Sequence, residues 1–100
     1  MKQTYKVICF LLVFCINIHA QNLDYVFKNE SEGYKCFRIP TILKSKNGTI
    51  MAFAEGRKNS CSDTGDIDLV LKKSYDNGLT WSKLRVIWND GVNTCGNPSP

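Results

Sequence analysis

Histidine is nearly missing from this chain, and the single one, His19, lies within the first twenty residues. Imidazole-based proton transfer or nucleophile activation is therefore excluded from residues 21–100. No C-x-x-C pair and no Cys/His spacing is present, which removes the usual grounds for a structural zinc site. Lys and Arg are scattered and form no stripe, so a nucleic-acid footprint is absent and no nucleic-acid partner is expected. No window carries a helical period. The acidic run Asp63-Thr64-Gly65-Asp66-Ile67-Asp68 leads into the apolar Leu69-Val70-Leu71 with no late Glu, which rules out an EF-hand loop.

What is present begins with residues 1–20. Lys2 and Lys6 precede the apolar run Val7 to Ile16, and Ala20 offers a small residue before Gln21. This is the pattern of a secretory signal peptide, with an apolar core too short for a membrane span. An uncleaved anchor is the alternative; lipidation at Cys15 is disfavoured by the bulky Phe14 before it. The expectation is export to the medium, the periplasm or the cell surface, with no stable membrane insertion after cleavage. Without Lys2 and Lys6 the formal net charge of +4 falls to about +2, so part of the basicity belongs to the signal peptide. Cys36, Cys61 and Cys95 remain, an odd number in an exported chain.

After a polar lead-in over residues 21–33, four strand-like runs follow. Tyr34 to Leu43 is the first, with Phe37, Ile39, Thr41 and Leu43 expected on one face and Arg38, Pro40 and Ile42 on the other. Thr49 to Glu55 is the second, apolar on both faces; Asp66 to Ser74 and Leu84 to Trp88 are the third and fourth. Asn47-Gly48 and Asn77-Gly78 mark tight turns. Short strands at this spacing predict an all-β meander of sandwich, barrel or propeller type. In a meander, alternate connections share one end of the sheet. Arg38, Arg57, Asp63 and Asn97 are therefore expected to converge at the end opposite the two Asn-Gly turns.

Ser74-Tyr75-Asp76-Asn77-Gly78-Leu79-Thr80-Trp81 fits S-x-D-x-G-x-T-W. Its logic is structural: Asp76 is expected to accept from backbone N–H groups two residues on, Gly78 to supply an unusual φ, and Trp81 to bury its ring beneath the turn. The octet resembles the Asp-box, the bacterial neuraminidase repeat of β-propellers. Phe37-Arg38-Ile39-Pro40 is similar to the F/Y-R-I-P motif of sialidases. Ala52-Phe53-Ala54-Glu55-Gly56-Arg57, the Asp63 loop, the Asp-box and Asn97-Pro98 follow in the order seen in the N-terminal part of a secreted bacterial-type sialidase. The resemblance covers Tyr34 to Pro100 and implies that residues 34–100 are about the first four-stranded blade of a six-bladed propeller.

The resemblance implies exo-α-sialidase activity, the hydrolysis of terminal sialic acids on glycoproteins, glycolipids and oligosaccharides. Arg38 matches the first of three carboxylate-binding arginines, suited to that task by its planar, permanently charged fork. Arg57 matches an arginine reaching toward the sugar from the edge, and Asn97 is expected to shape the pocket wall. Asp63 matches the acid/base aspartate of a retaining mechanism that uses a Tyr nucleophile in place of a second carboxylate. Asp66 and Asp68 are expected to be strand-entry or network residues. No cofactor or metal is implied. The nucleophile, its Glu partner and the other arginines are not recognisable in these residues, so the chain alone is expected to be an inactive N-terminal portion.

Two rival readings share these residues. A trans-sialidase or a hydrolase of a related nonulosonic acid would differ only in acceptor site and pocket walls. A non-catalytic Asp-box propeller binding carbohydrate or protein would have no reason to keep Arg38 and Asp63 together. For the cysteines, a disulfide tying the Asp63 loop and three buried thiols both remain open.

Overall fold

The computed structural model describes residues 24–100; residues 1–20, where a signal peptide is expected, lie outside the described residues. Four strands follow in chain order: β1 (Cys36–Lys44), β2 (Ile50–Arg57), β3 (Ile67–Ser74) and β4 (Arg85–Trp88). They form one open antiparallel sheet in the order β1-β2-β3-β4, the expected meander. No helix occurs among the described residues. This all-β sheet has the strand count and connectivity of a propeller blade.

The turns form where the sequence places them. At the β1–β2 turn the Asn47 carbonyl Oδ1 accepts the Thr49 N–H at 3.1 Å, while Gly48 takes φ +89. At the β3–β4 connection Asn77 and Gly78 both have positive φ. Asp76 does not accept from two residues on. Its Oδ1 takes the Thr80 N–H at 2.8 Å and the Ser74 hydroxyl at 2.8 Å, and its Oδ2 takes the Thr80 hydroxyl. The reason is geometric: the chain must curl back through two left-handed residues, which brings the fourth residue's N–H to the carboxylate. Ser74 closes the turn by accepting the Gly78 N–H at 2.8 Å. Trp81 is only half-buried, short of the buried ring expected beneath the turn.

The alternation expected for β1 fails at one place. Arg38 pairs with Glu55 and Thr41 with Phe53, so Ile39 and Pro40 together face the single residue Ala54. This is a β-bulge. Ile39 adopts φ +53, a left-handed conformation that costs a β-branched residue roughly 1–3 kcal/mol. The extra residue reverses the phase, so Phe37 shares a face with Ile42, while Arg38 shares the other with Thr41 and Leu43.

The lead-in is less polar in effect than in composition. Phe27 packs its ring 5.2 Å from that of Phe37, and Tyr34 lies 5.4 Å from Phe37 on the same side. These rings cover Ala54 and Val70, both essentially without solvent access. Lys72, on the same face, donates to the Val26 carbonyl at 2.8 Å and pairs with Glu32 at 2.7 Å. Its stem covers apolar surface while its ammonium fastens the lead-in to the sheet.

Gly56 is fixed by this packing. A Cβ there would lie 2.7 Å from two carbons of the Tyr34 ring. The ring cannot retreat, because its hydroxyl donates to Asp68 Oδ2 at 2.7 Å and Asp68 is itself buried. Burial, then the hydrogen bond and negative charge of Asp68, push the Tyr34 phenol well above its ordinary range.

Two outcomes follow from the packing and the turn. Gly56→Ala is expected to destabilise the full-length protein by about 1–3 kcal/mol, read as a lower midpoint in chemical denaturation. Asp76 is held down at about 2, below its ordinary 3.8, chiefly by the Thr80 hydroxyl and N–H and then by Ser74. Its contribution to the turn is therefore complete above about pH 4 and lost as pH falls through about 2. A carboxyl titration by NMR with a midpoint near the ordinary value would contradict this.

Candidate active site

β2 ends in three residues that carry the polar end of the sheet: Glu55, Gly56 and Arg57. Glu55 and Arg57 alternate onto the face shared by Arg38, the cross-strand partner of Glu55. The chain then leaves the sheet as the loop 58–66, and it comes back to this end after β4. There Thr94 forms a parallel bridge with Ile67, and the Cys95 N–H donates to the Ile67 carbonyl at 2.9 Å. Arg38, Glu55, Arg57, Asp63, Gly96 and Asn97 line one open cleft of about 550 Å³. The four residues expected to converge do so.

At the centre is a buried charge chain. The Arg57 guanidinium donates through Nε and Nη2 to Glu55 Oε2, at 3.0 and 2.6 Å. Its Nη1 donates to the Cys61 carbonyl at 2.7 Å and to Asp63 Oδ1 at 2.9 Å. Four of the five guanidinium donors are thus committed within the protein. Burial works against the charge on Arg57, but the bonds and charges of Glu55 and Asp63 outweigh it and hold the guanidinium above its ordinary value. Sequence reasoning has Arg57 reaching for a ligand; in the structure two of its bonds go to Glu55 on its own strand and two to the loop that follows.

Asp63 stands at the outer end of this chain. Its side chain is 87% exposed, whereas that of Arg57 is only 3% exposed. One oxygen rests on Arg57 and the rest of the carboxyl faces the cleft. Arg38 is exposed and makes no hydrogen bond or ion pair among the described residues, so its fork is available to an anion. Asn97 turns its backbone inward at φ +54, and its N–H donates to Glu55 Oε1 at 3.0 Å. Gly96 beside it has no room for a side chain, since a Cβ would fall 2.5 Å from that same oxygen.

Glu55 is the residue that sequence reasoning passed over. It reads as the end of an apolar strand, yet it is 4% exposed and binds both Arg57 and Asn97. Its only advance signal is a carboxylate flanked by buried small residues in Ala52-Phe53-Ala54-Glu55-Gly56-Arg57, a position too buried for an unpaired charge.

Asp66 and Asp68 sit on the other side of β3's entry. Asp68 Oδ1 accepts from the Asn89 side chain at 2.7 Å, while Oδ2 accepts from Tyr34. Lys58 stands 3.5 Å from both carboxylates; burial lowers its pKa, but the charges of Asp68 and Asp66 raise it further, and the net direction is up. Cys36 and Cys61 are joined in a disulfide and Cys95 is a buried free thiol. Of the two arrangements left open by the sequence, a tied loop is the one observed.

No family model matches the chain. Curated relatives do. An exo-alpha-sialidase of Aspergillus fumigatus is 42% identical over 74 residues, covering 68% of this chain and 18% of that protein. One from Arthroderma benhamiae is 40% identical over 74 residues, with the same two shares. A sialidase of Clostridium perfringens is 44% identical over 88 residues, 78% of this chain and 23% of the relative. The chain belongs to the sialidases. It spans about a fifth of the length of these relatives, a share a single blade and its flanks would occupy in a propeller.

The charge chain sets a stability test. Glu55→Gln keeps the shape but leaves the buried Arg57 facing only the exposed Asp63. A loss of roughly 3 kcal/mol or more is expected from chemical denaturation of the full-length protein. A loss below about 1 kcal/mol would mean that Glu55 is not what neutralises Arg57.

Proposed function

We propose that the full-length protein is an exported exo-α-sialidase that removes terminal sialic acids from glycoconjugates, with this sheet as the first blade of a six-bladed propeller. The observation that carries the reading is the shared cleft. An unpaired guanidinium, Arg38, and an exposed carboxyl on a tethered loop, Asp63, face the same open space. Relatives named as sialidases supply the class of substrate.

The chemistry follows from the groups present. A sialic acid carries a carboxylate on its anomeric carbon. Arg38 binds it through two parallel N–H···O bonds, together with two arginines supplied outside these residues. Asp63, protonated, gives its proton to the leaving glycosidic oxygen as the bond breaks. A Tyr nucleophile outside these residues takes the anomeric carbon, and Asp63, now ionised, activates the water that releases the sugar with retention. Arg57 assists by holding Asp63 in place and lining the edge of the cleft, and Asn97 forms the wall. No step calls for a cofactor. The signal peptide of residues 1–20 directs the protein to the medium, the periplasm or the cell surface.

The test is hydrolysis by the full-length protein of a natural sialyl linkage and of an activated aryl sialoside. General acid help contributes about 100- to 10,000-fold to breaking a poor leaving group. Asp63→Ala is therefore expected to lower kcat at least about 100-fold on the natural linkage and much less on the aryl one. Arg38→Ala should weaken both substrates alike. Full activity of Asp63→Ala on the natural linkage would sink the assignment.

A further inference from the structure

The loop 58–66 carries the one residue asked to transfer protons, and it is poorly held by ordinary means. Lys58 N–H donates to the Asp66 carbonyl at 3.1 Å, and Gly65 exchanges hydrogen bonds with the Thr94 hydroxyl, so both feet are secure. Between them, bonds at Ser60 and Ser62 are local, each to a backbone N–H two residues on. Among the described residues, segment 59–64 is joined to the rest only by Arg57 and by the disulfide from Cys61 to Cys36. The Arg57–Asp63 pair has one partner almost wholly in solvent, where ion pairs hold geometry weakly.

The disulfide acts where the ion pair is weak. Cys36 is two residues before Arg38 and the cross-strand partner of Arg57; Cys61 is two residues before Asp63. One covalent link thus joins the strand that presents Arg38 to the loop that presents Asp63. Resting on the sialidase reading, we infer that Cys36 and Cys61 are positioning residues: their disulfide sets the distance between the carboxylate-binding Arg38 and the proton-donating Asp63. The link is not needed to bind the sugar, which Arg38 does from the sheet. It matters when a poorly departing oxygen needs a proton from one fixed point, because small displacements of a catalytic group are costly.

The experiment compares the oxidised full-length enzyme with two forms lacking the link. One is Cys36→Ala/Cys61→Ala. The other is native enzyme reduced with dithiothreitol and alkylated; the dithiol passes two electrons and two protons to the cysteine sulfurs and leaves as its own cyclic disulfide. In either form, kcat on a natural sialyl-galactoside is expected to fall about tenfold or more. KM should move less than about twofold, and kcat on an aryl sialoside should stay within about threefold. Equal losses on both substrates, or no loss on either, would overturn the inference. Should the double variant fail to fold, the reduced native enzyme decides. Should the oxidised parent hydrolyse no sialoside, the functional reading fails, and hydrogen exchange tests the tether separately. Exchange in 58–66 should quicken on reduction while β3 stays protected; unchanged exchange in 58–66 would overturn the tether.

Discussion

A buried guanidinium organises this end of the sheet. Arg57 cannot sit in a dry site without carboxylates around it, and the chain provides two of them from opposite directions. Glu55, two residues earlier on the same strand face, supplies the buried partner; Asp63, six residues later, supplies the exposed one. Because Glu55 also takes the Asn97 N–H, the segment after β4 is pinned to the same charge. β2 and the loop 58–66 meet around this one cation, and residues 94–97 join them through Glu55 and the Ile67 backbone. The cleft is the space left in front of it.

The opposite face is settled by a second, separate set of polar contacts. Tyr34, Asp68 and Asn89 form a chain of hydrogen bonds beneath the aromatic lid of Phe27 and Phe37. A buried phenol and a buried carboxylate are tolerable only together, and Gly56 keeps the space in which they meet. The two networks lie on either side of β2 and touch no common side chain. The sheet can thus carry chemistry on one face and stay anchored by the other.

How much of this was legible depended on the range of the interaction. The strands, the turns at Asn47-Gly48 and Asn77-Gly78, and the gathering of Arg38, Arg57, Asp63 and Asn97 follow from local alternation and from meander connectivity alone. The role of Glu55 does not, because its partner Asn97 is 42 residues away and backbone N–H groups leave no mark in sequence. The grip of Arg57 on Asp63 was likewise hidden: an arginine in a loop looks the same whether its donors face a ligand or its own chain. The bulge at Ile39 is only half-signalled, because Pro40 fits an edge strand as well as a bulge and the β-branched Ile39 favours regular strand. The polar composition of the lead-in does not tell where it lies, which is decided by the Phe27 ring on Phe37 and by the Lys72 contacts to Val26 and Glu32.

That bulge gives chain length at one point an unusual weight. With Ile39 and Pro40 sharing a single slot, Arg38 stays on the cleft side while Ile42 still faces the aromatic lid. Losing one residue there would not merely shorten the strand. The segment before it or the segment after it would have to turn over, sending either the guanidinium away from the cleft or Ile42 into it. Among variants of this protein, substitutions along β1 should therefore be far more common than single-residue insertions or deletions between Arg38 and Thr41.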